Sequence, residues 1–214
     1  RLAALAERGD ELLALHEKRA ASGASTSDKL EALLEACAIA QHVLEEPPKA
    51  MSYLVRAVAL ANQDVALLER IETRTGELDQ EVTPIDGRGL TYAVAEAYRG
   101  RMEELKRDEQ AVELLALRAA RLLDTNLDDL ESAYKVLERA SALSSSAEGV
   151  LDALAEIATR ANKLPALAAH LQHLADDAID SATASAVLRR LGALLEGPLA
   201  SPERAAEAYK QLVT

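Results

Sequence analysis

The sequence predicts an all-α fold, a solenoid of stacked antiparallel helix pairs with about eleven helices forming one domain over residues 1–214. Three observations predict it. Half of the residues are apolar, yet the chain has no Phe, no Trp and only five Tyr, so its core is built from Leu, Ala, Val and Ile. Ala and Leu lose little on entering a helix, whereas strands draw on the β-branched and aromatic residues that are scarce here. Proline, glycine and serine then punctuate the chain at intervals that leave amphipathic stretches of helical length between them. Finally, a small-then-large residue pair recurs along the chain at a nearly constant spacing, as a repeat architecture requires.

The elements follow in order. Residues 2–21 read as a helix with Gly9 as a weak interruption, and Gly23–Ser27 as a turn whose Ser27 or Asp28 caps a helix over 29–46. Pro47 and Pro48 stop that helix and open the next, 48–60, because proline is tolerated in a first turn. After a break near Asn62, residues 64–75 form a helix with Leu67, Leu68 and Ile71 as its apolar stripe. Gly76, Pro84, Gly87 and Gly89 then interrupt the periodicity, so 76–89 is read as one long inserted loop. Helices resume over 90–107 and 109–124. A turn at Asp124–Asp129 precedes a helix over 130–143, and the serines at 144–146 make the plainest turn signal in the chain. Helices over 150–163, 165–178, 185–197 and 203–213 complete the chain, with Pro165 and Pro202 at helix starts and Gly197-Pro198 at a helix end.

The recurring pairs are Ala50-Met51, Ala97-Tyr98, Ala133-Tyr134, Ala169-His170 and Ala208-Tyr209, with Leu15-His16 heading the column. Their second members are spaced 35, 47, 36, 36 and 39 residues apart, and the long interval contains the 76–89 segment. Each period is two helices and a turn. The small member lets two helices cross closely and the large one fills the space between successive pairs. The repeats run over 1–22 (partial), 28–60, 64–107 with the inserted loop, 111–142, 148–178 and 183–213.

These positions resemble the tetratricopeptide repeat family. The strongest match is the last repeat, where Leu188, Leu191, Gly192 and Leu195 are similar to the large, large, glycine and large positions of the family's first helix. Ala205, Tyr209 and Leu212 are similar to the small, aromatic and small positions of the second. Leu212 departs from the usual alanine. The repeat before it has Leu151, Leu154, Ala155 and Ala158, then Ala166, His170 and His173, where both histidines depart from the pattern. The repeat at 111–142 keeps Tyr134 but has Leu130 and Leu137 at positions that are small in the family. The resemblance covers residues 111–213 most clearly; earlier repeats, with Met51 and Tyr98, fit by spacing. It implies a right-handed superhelical stack that binds partners on the concave face lined by the first helix of each pair. It transfers no catalytic residue.

Charge narrows the partner. The net charge is −12, spread over both halves: 19 acidic against 14 basic residues in 1–107, and 17 against 10 in 108–214. Such a surface repels phosphate backbones and anionic membranes and steers basic partners toward it. Nucleic acid and membrane insertion are therefore not expected, and no run of 18 apolar residues occurs. The chain opens at Arg1 without a charged-then-apolar leader and is read as part of something longer. The compartment is left open, with the cytoplasm favoured. The one cysteine, Cys37, flanked by Ala36 and Ala38, reads as a buried structural thiol.

No active-site constellation stands out, so no enzymatic activity, metal or cofactor is expected. His170 and His173 lie three apart on one helix, but zinc needs further ligands. The acidic groups Asp176-Asp177-Asp180 and Asp124-Asp128-Asp129 lack the alternating ligands and glycine of a calcium loop and sit where caps belong. Ser144–Ser146 have no nucleophile-elbow context, and Gly87–Gly89 is too short for a phosphate loop. The candidate partner-binding residues are Arg99, Arg101, Lys106 and Arg107, expected on one helix, together with Val82 and Ile85 of the inserted loop. The expected function is a protein-interaction scaffold for a protein or peptide that is basic or amphipathic. The alternative is a structural spacer within a larger protein, packed against other domains of its parent chain.

Overall fold

Eleven α-helices and one π-helical turn, with no strand, make up the described residues. The computed structural model describes residues 2–81 and 89–212. The helices are α1 (Leu2–Ser22), α2 (Thr26–His42), α3 (Pro47–Ala61), α4 (Val65–Glu81), α5 (Gly89–Glu104), α6 (Glu109–Arg121), α7 (Leu130–Leu143), α8 (Glu148–Arg160), α9 (Leu164–Asp177), α10 (Ser181–Glu196) and α11 (Pro202–Gln211). The chain divides into two compact units, Arg1–Arg101 and Met102–Thr214. In the first unit α1 to α4, and in the second α6 to α11, each helix packs against the next in sequence through a short turn, which makes them antiparallel neighbours. This is a helical-repeat architecture.

Local chemistry explains where the helices begin. Ser25, Asp108, Asp129 and Asp180 are N-caps whose side chains accept from the backbone N–H three residues on, at 2.8–3.1 Å. Asp64 does the same for α4, accepting from the amides of Ala66 and Leu67. Helices α3, α9 and α11 instead start on proline, whose missing N–H costs nothing in a first turn.

The turns within pairs share one geometry. In four of them a residue in the left-handed region precedes the next helix: Glu45, Asp128, Asn162 and Ala200. The residue after each donates its backbone N–H back into the preceding helix, Glu46 to Ala40, Asp129 to Leu123, Lys163 to Ala158 and Ser201 to Leu195, at 2.7–2.8 Å. These bonds satisfy carbonyls that the helix end would otherwise orphan. Because none of the four residues is glycine, composition alone did not mark this turn.

Three sequence expectations are corrected. Residues 76–81, expected in the inserted loop, continue α4, since Leu78 is buried and Asp79 is engaged with α5. Leu122–Asn126, part of which was expected as turn, is a π-helical continuation of α6, and the turn is confined to 127–129. Lys106 and Arg107, expected on a helix with Arg99 and Arg101, lie in the turn after α5 ends at Glu104. Val82 and Ile85 lie outside the described residues.

The small members of the column are buried in α3, α5, α7 and α11: Ala50, Ala97, Ala133 and Ala208. In α9 the interior position belongs to Ala168, while Ala169 is exposed. In α3 the buried aromatic is Tyr53, and Met51 is half-buried. Tyr98 and Tyr134 are buried; His170 and Tyr209 are half-buried. Gly192 shows why a small residue is needed. A Cβ there would lie 2.2 Å from Cε1 of Tyr209, so α10 and α11 approach only because that atom is missing. Ala205 is buried in the same contact layer of α11.

Candidate functional site

In each unit the first helices of the pairs form one layer, α2 and α4 in the first and α6, α8 and α10 in the second. Ion pairs tie successive members together. Arg70 and Arg74, one turn apart on α4, meet Glu31 and Glu35, one turn apart on α2, at 2.7 and 3.6 Å. On α8, Arg160 grips Asp124 of the π turn with both nitrogens, at 2.5 and 2.6 Å. On α10, Arg190 pairs with Asp152 of α8. The second-helix layer has its own link, Arg139 of α7 to Glu103, at 2.6 and 2.9 Å. The partners in these links are 36 to 39 residues apart, which measures the repeat from contacts independently of the alanine column.

Such exposed pairs add little stability. Their consequence is positional: one or two arginines at each crossing tie a helix to the one before it. Asp124, in the π turn, is the most buried of these side chains. The Asp124 carboxylate beside Arg160, like Glu103 beside Arg139, raises the guanidinium pKa above its ordinary value.

Between the linked helices lie open grooves. The one between α2 and α4 measures about 360 Å³, with the buried Leu34 at its base and Glu31, Arg70, Arg74 and Glu77 among the residues around it. The one between α6 and α8 measures about 140 Å³, with the buried Ala120, Leu137 and Ile157 at its base and Asp124 beside them.

The sequence-derived cationic candidates differ in their local partners. Arg99 is paired with Glu96 on its own helix at 2.5 Å, and Arg101 donates to Asn62 at 3.4 Å. Lys106 and Arg107 are exposed in the α5–α6 turn, and neither makes an ion pair among the described residues. The histidines also separate. His170 faces Ser141, Nε2 to Oγ at 2.7 Å, whereas His173 is exposed and pairs with Asp177 at 3.1 Å. Among the described residues no group of three His, Cys, Asp or Glu is placed to hold a metal ion. Asp129 and Asp180 serve as helix caps. Cys37 is free and buried, and burial, then the charge of Asp79, push its thiol up to about 12, which removes the thiolate needed for reactivity.

Asp79 itself was not recognised in the sequence because it lies in the segment read as loop. Its carboxylate accepts from the amides of Leu90 and Thr91 at 2.6 and 2.7 Å and from the Thr91 hydroxyl at 2.6 Å, capping α5 from α4. Gly89, at φ +67°, admits this approach: a Cβ there would fall 2.7 Å from Asp79 Oδ1.

No described helix is long and apolar enough to cross a membrane. No family model matches the chain, and no curated protein or solved structure is significantly similar to it.

Proposed function

We propose that this chain is a protein-interaction scaffold of the tetratricopeptide-like kind, without enzymatic activity, that receives a polypeptide along the first-helix layer of its repeats. One observation carries the reading: the grooves between successive first helices are open to solvent, lined by buried apolar side chains, Leu34 in one and Leu137 and Ile157 in the other, and bordered by ion pairs. Grooves of that form suit side chains presented one after another by an extended or helical segment. The net charge of −12 favours a basic or amphipathic segment over nucleic acid. Affinity would come from a few anchors within a larger complementary area.

The test is crosslinking capture from lysate of the source organism at about 50 and about 500 mM salt, where screening differs severalfold. A polypeptide recovered at low salt, and displaced when Glu69 and Glu77 on the α2–α4 groove are changed to Lys, supports the reading. A parallel variant with Arg101, Lys106 and Arg107 changed to Glu asks whether the α5 cations contribute. Recovery of nothing beyond flanking parts of the parent protein would favour the second reading, a packing platform within a longer chain. That reading is supported by α1, which exposes Leu12 and Leu15 beside Val43 around a cavity of about 560 Å³.

A further inference from the structure

Helix α1 carries the repeat column differently from the other second helices. Ala50, Ala97, Ala133 and Ala208 are buried at the column position of α3, α5, α7 and α11, each of which follows a first helix. Leu15 heads the same column on α1, before which no helix is described, and is 53% exposed. With Leu12 one turn earlier and Val43 just after α2, it borders an open cavity of about 560 Å³ whose other lining residues are Arg8, Gly9 and Glu11. The position that elsewhere takes a helix crossing is bare here, and leucine in place of alanine enlarges the apolar area that a further element would remove from water.

The charges beside this surface point to what that element is. Glu11, Leu15 and Lys18 stand at i, i+4 and i+7, which makes them one stripe along the helix. Glu11 and Lys18 are exposed, and neither side chain makes an ion pair or hydrogen bond among the described residues. Arg70, Arg74, Arg139, Arg160 and Arg190, by contrast, are each paired with an acid a repeat away. At about 1.5 Å of rise per residue, Glu11 lies about 6 Å before Leu15 and Lys18 about 4.5 Å after it. A second α1 running antiparallel, with Leu15 against Leu15, therefore brings each Glu11 level with the other copy's Lys18. A parallel copy would set Glu11 on Glu11 and Lys18 on Lys18. On the neighbouring stripe, the antiparallel alignment lays Leu12 beside the stem of the other copy's exposed Arg19.

We propose that α1 is a self-association surface: two copies of this chain pair through antiparallel α1 helices that cross at Leu15, and two reciprocal Glu11–Lys18 ion pairs flank the crossing. The contact is isologous, so it closes at a dimer and does not grow into a filament. Exposed ion pairs add little affinity, which comes from burying Leu12, Leu15 and Val43; the charges select the direction of the second copy. The surface is separate from the first-helix grooves, so it stands or falls independently of the scaffold reading.

Sedimentation equilibrium of the full chain tests the pairing by charge reversal, with far-UV circular dichroism to establish that each variant is folded. Wild type should form a reversible dimer. E11K and K18E each set like charges against one another at both ends of the contact and should dimerise about tenfold more weakly. An equimolar mixture of E11K and K18E should recover the wild-type association, as should the double variant E11K/K18E, because opposite charges then face each other again at both ends. A wild type that stays monomeric overturns the proposal and leaves the α1 face to another protein or to a segment of a longer parent chain. Single variants that dimerise as tightly as wild type, a mixture no tighter than its components, or species larger than a dimer would overturn it as well, by placing the contact in another register or on another surface.

Discussion

His170 is held half-buried between α9 and α7 with its Nε2 2.7 Å from Ser141 Oγ. Since the Ser141 hydroxyl donates to the Glu138 carbonyl at 2.9 Å, its oxygen is left to accept, which places a proton on His170 Nε2. Burial lowers the His170 pKa below its ordinary 6.5; the nearby Glu138 carboxylate opposes that shift and His173 adds to it. A base with a depressed folded pKa binds fewer protons folded than unfolded, so its contribution to stability is present above pH 6.5 and is lost as pH falls below it. Thermal melts of wild type and H170Q between pH 7.5 and 5.5 test this. The wild type should lose more Tm than the variant on acidification, and parallel curves would remove His170 as the source. The sequence placed His170 in the repeat column, and what sets its chemistry is the serine 29 residues away that the fold brings to it.

At the scale of elements, the repeat rests on how closely helices within a pair can approach. Gly192 on α10 is filled by the Tyr209 ring of α11, whose hydroxyl reaches back to Glu196 on α10 at 3.3 Å. G192A should destabilise the protein by about 1–3 kcal/mol, the range for overpacking a contact. The double variant G192A/Y209L should recover part of that loss, because the two changes share one contact and are not additive. Denaturant titration of both variants gives the answer, and an equal loss in single and double variants would place the strain elsewhere. The glycine was legible because the family resemblance pointed to it. Tyr53 was missed since the spacing fell on Met51, two residues earlier, and a two-residue shift along α3 rotates the chosen position out of the core. The π turn was likewise hidden: nothing in Leu122–Asn126 breaks a helix, and its widened geometry accompanies a bond to Arg160, which is far along the chain.

At the scale of the whole molecule, association turns on an exposed apolar surface in the first unit, where α1 exposes Leu12 and Leu15. A contiguous exposed apolar patch marks a contact surface. Sedimentation velocity should show concentration-dependent association of wild type that L12S/L15S abolishes, with stability changed by no more than about 0.5 kcal/mol because both side chains are exposed. Persistent association in the variant would assign the contact to another surface. The helical class, the approximate helix boundaries and the period near 36 residues follow from the chain order of Leu, Ala and Pro, since helix propensity, capping and proline stops act over a few neighbours. Left to the folded chain were the ion pairs that border the grooves, the Asp79 cap of α5 and the Ser141 partner of His170. Each depends on side chains from different helices meeting at ångström distances, and a charge carries no mark in sequence of which opposite charge, a full repeat away, will meet it.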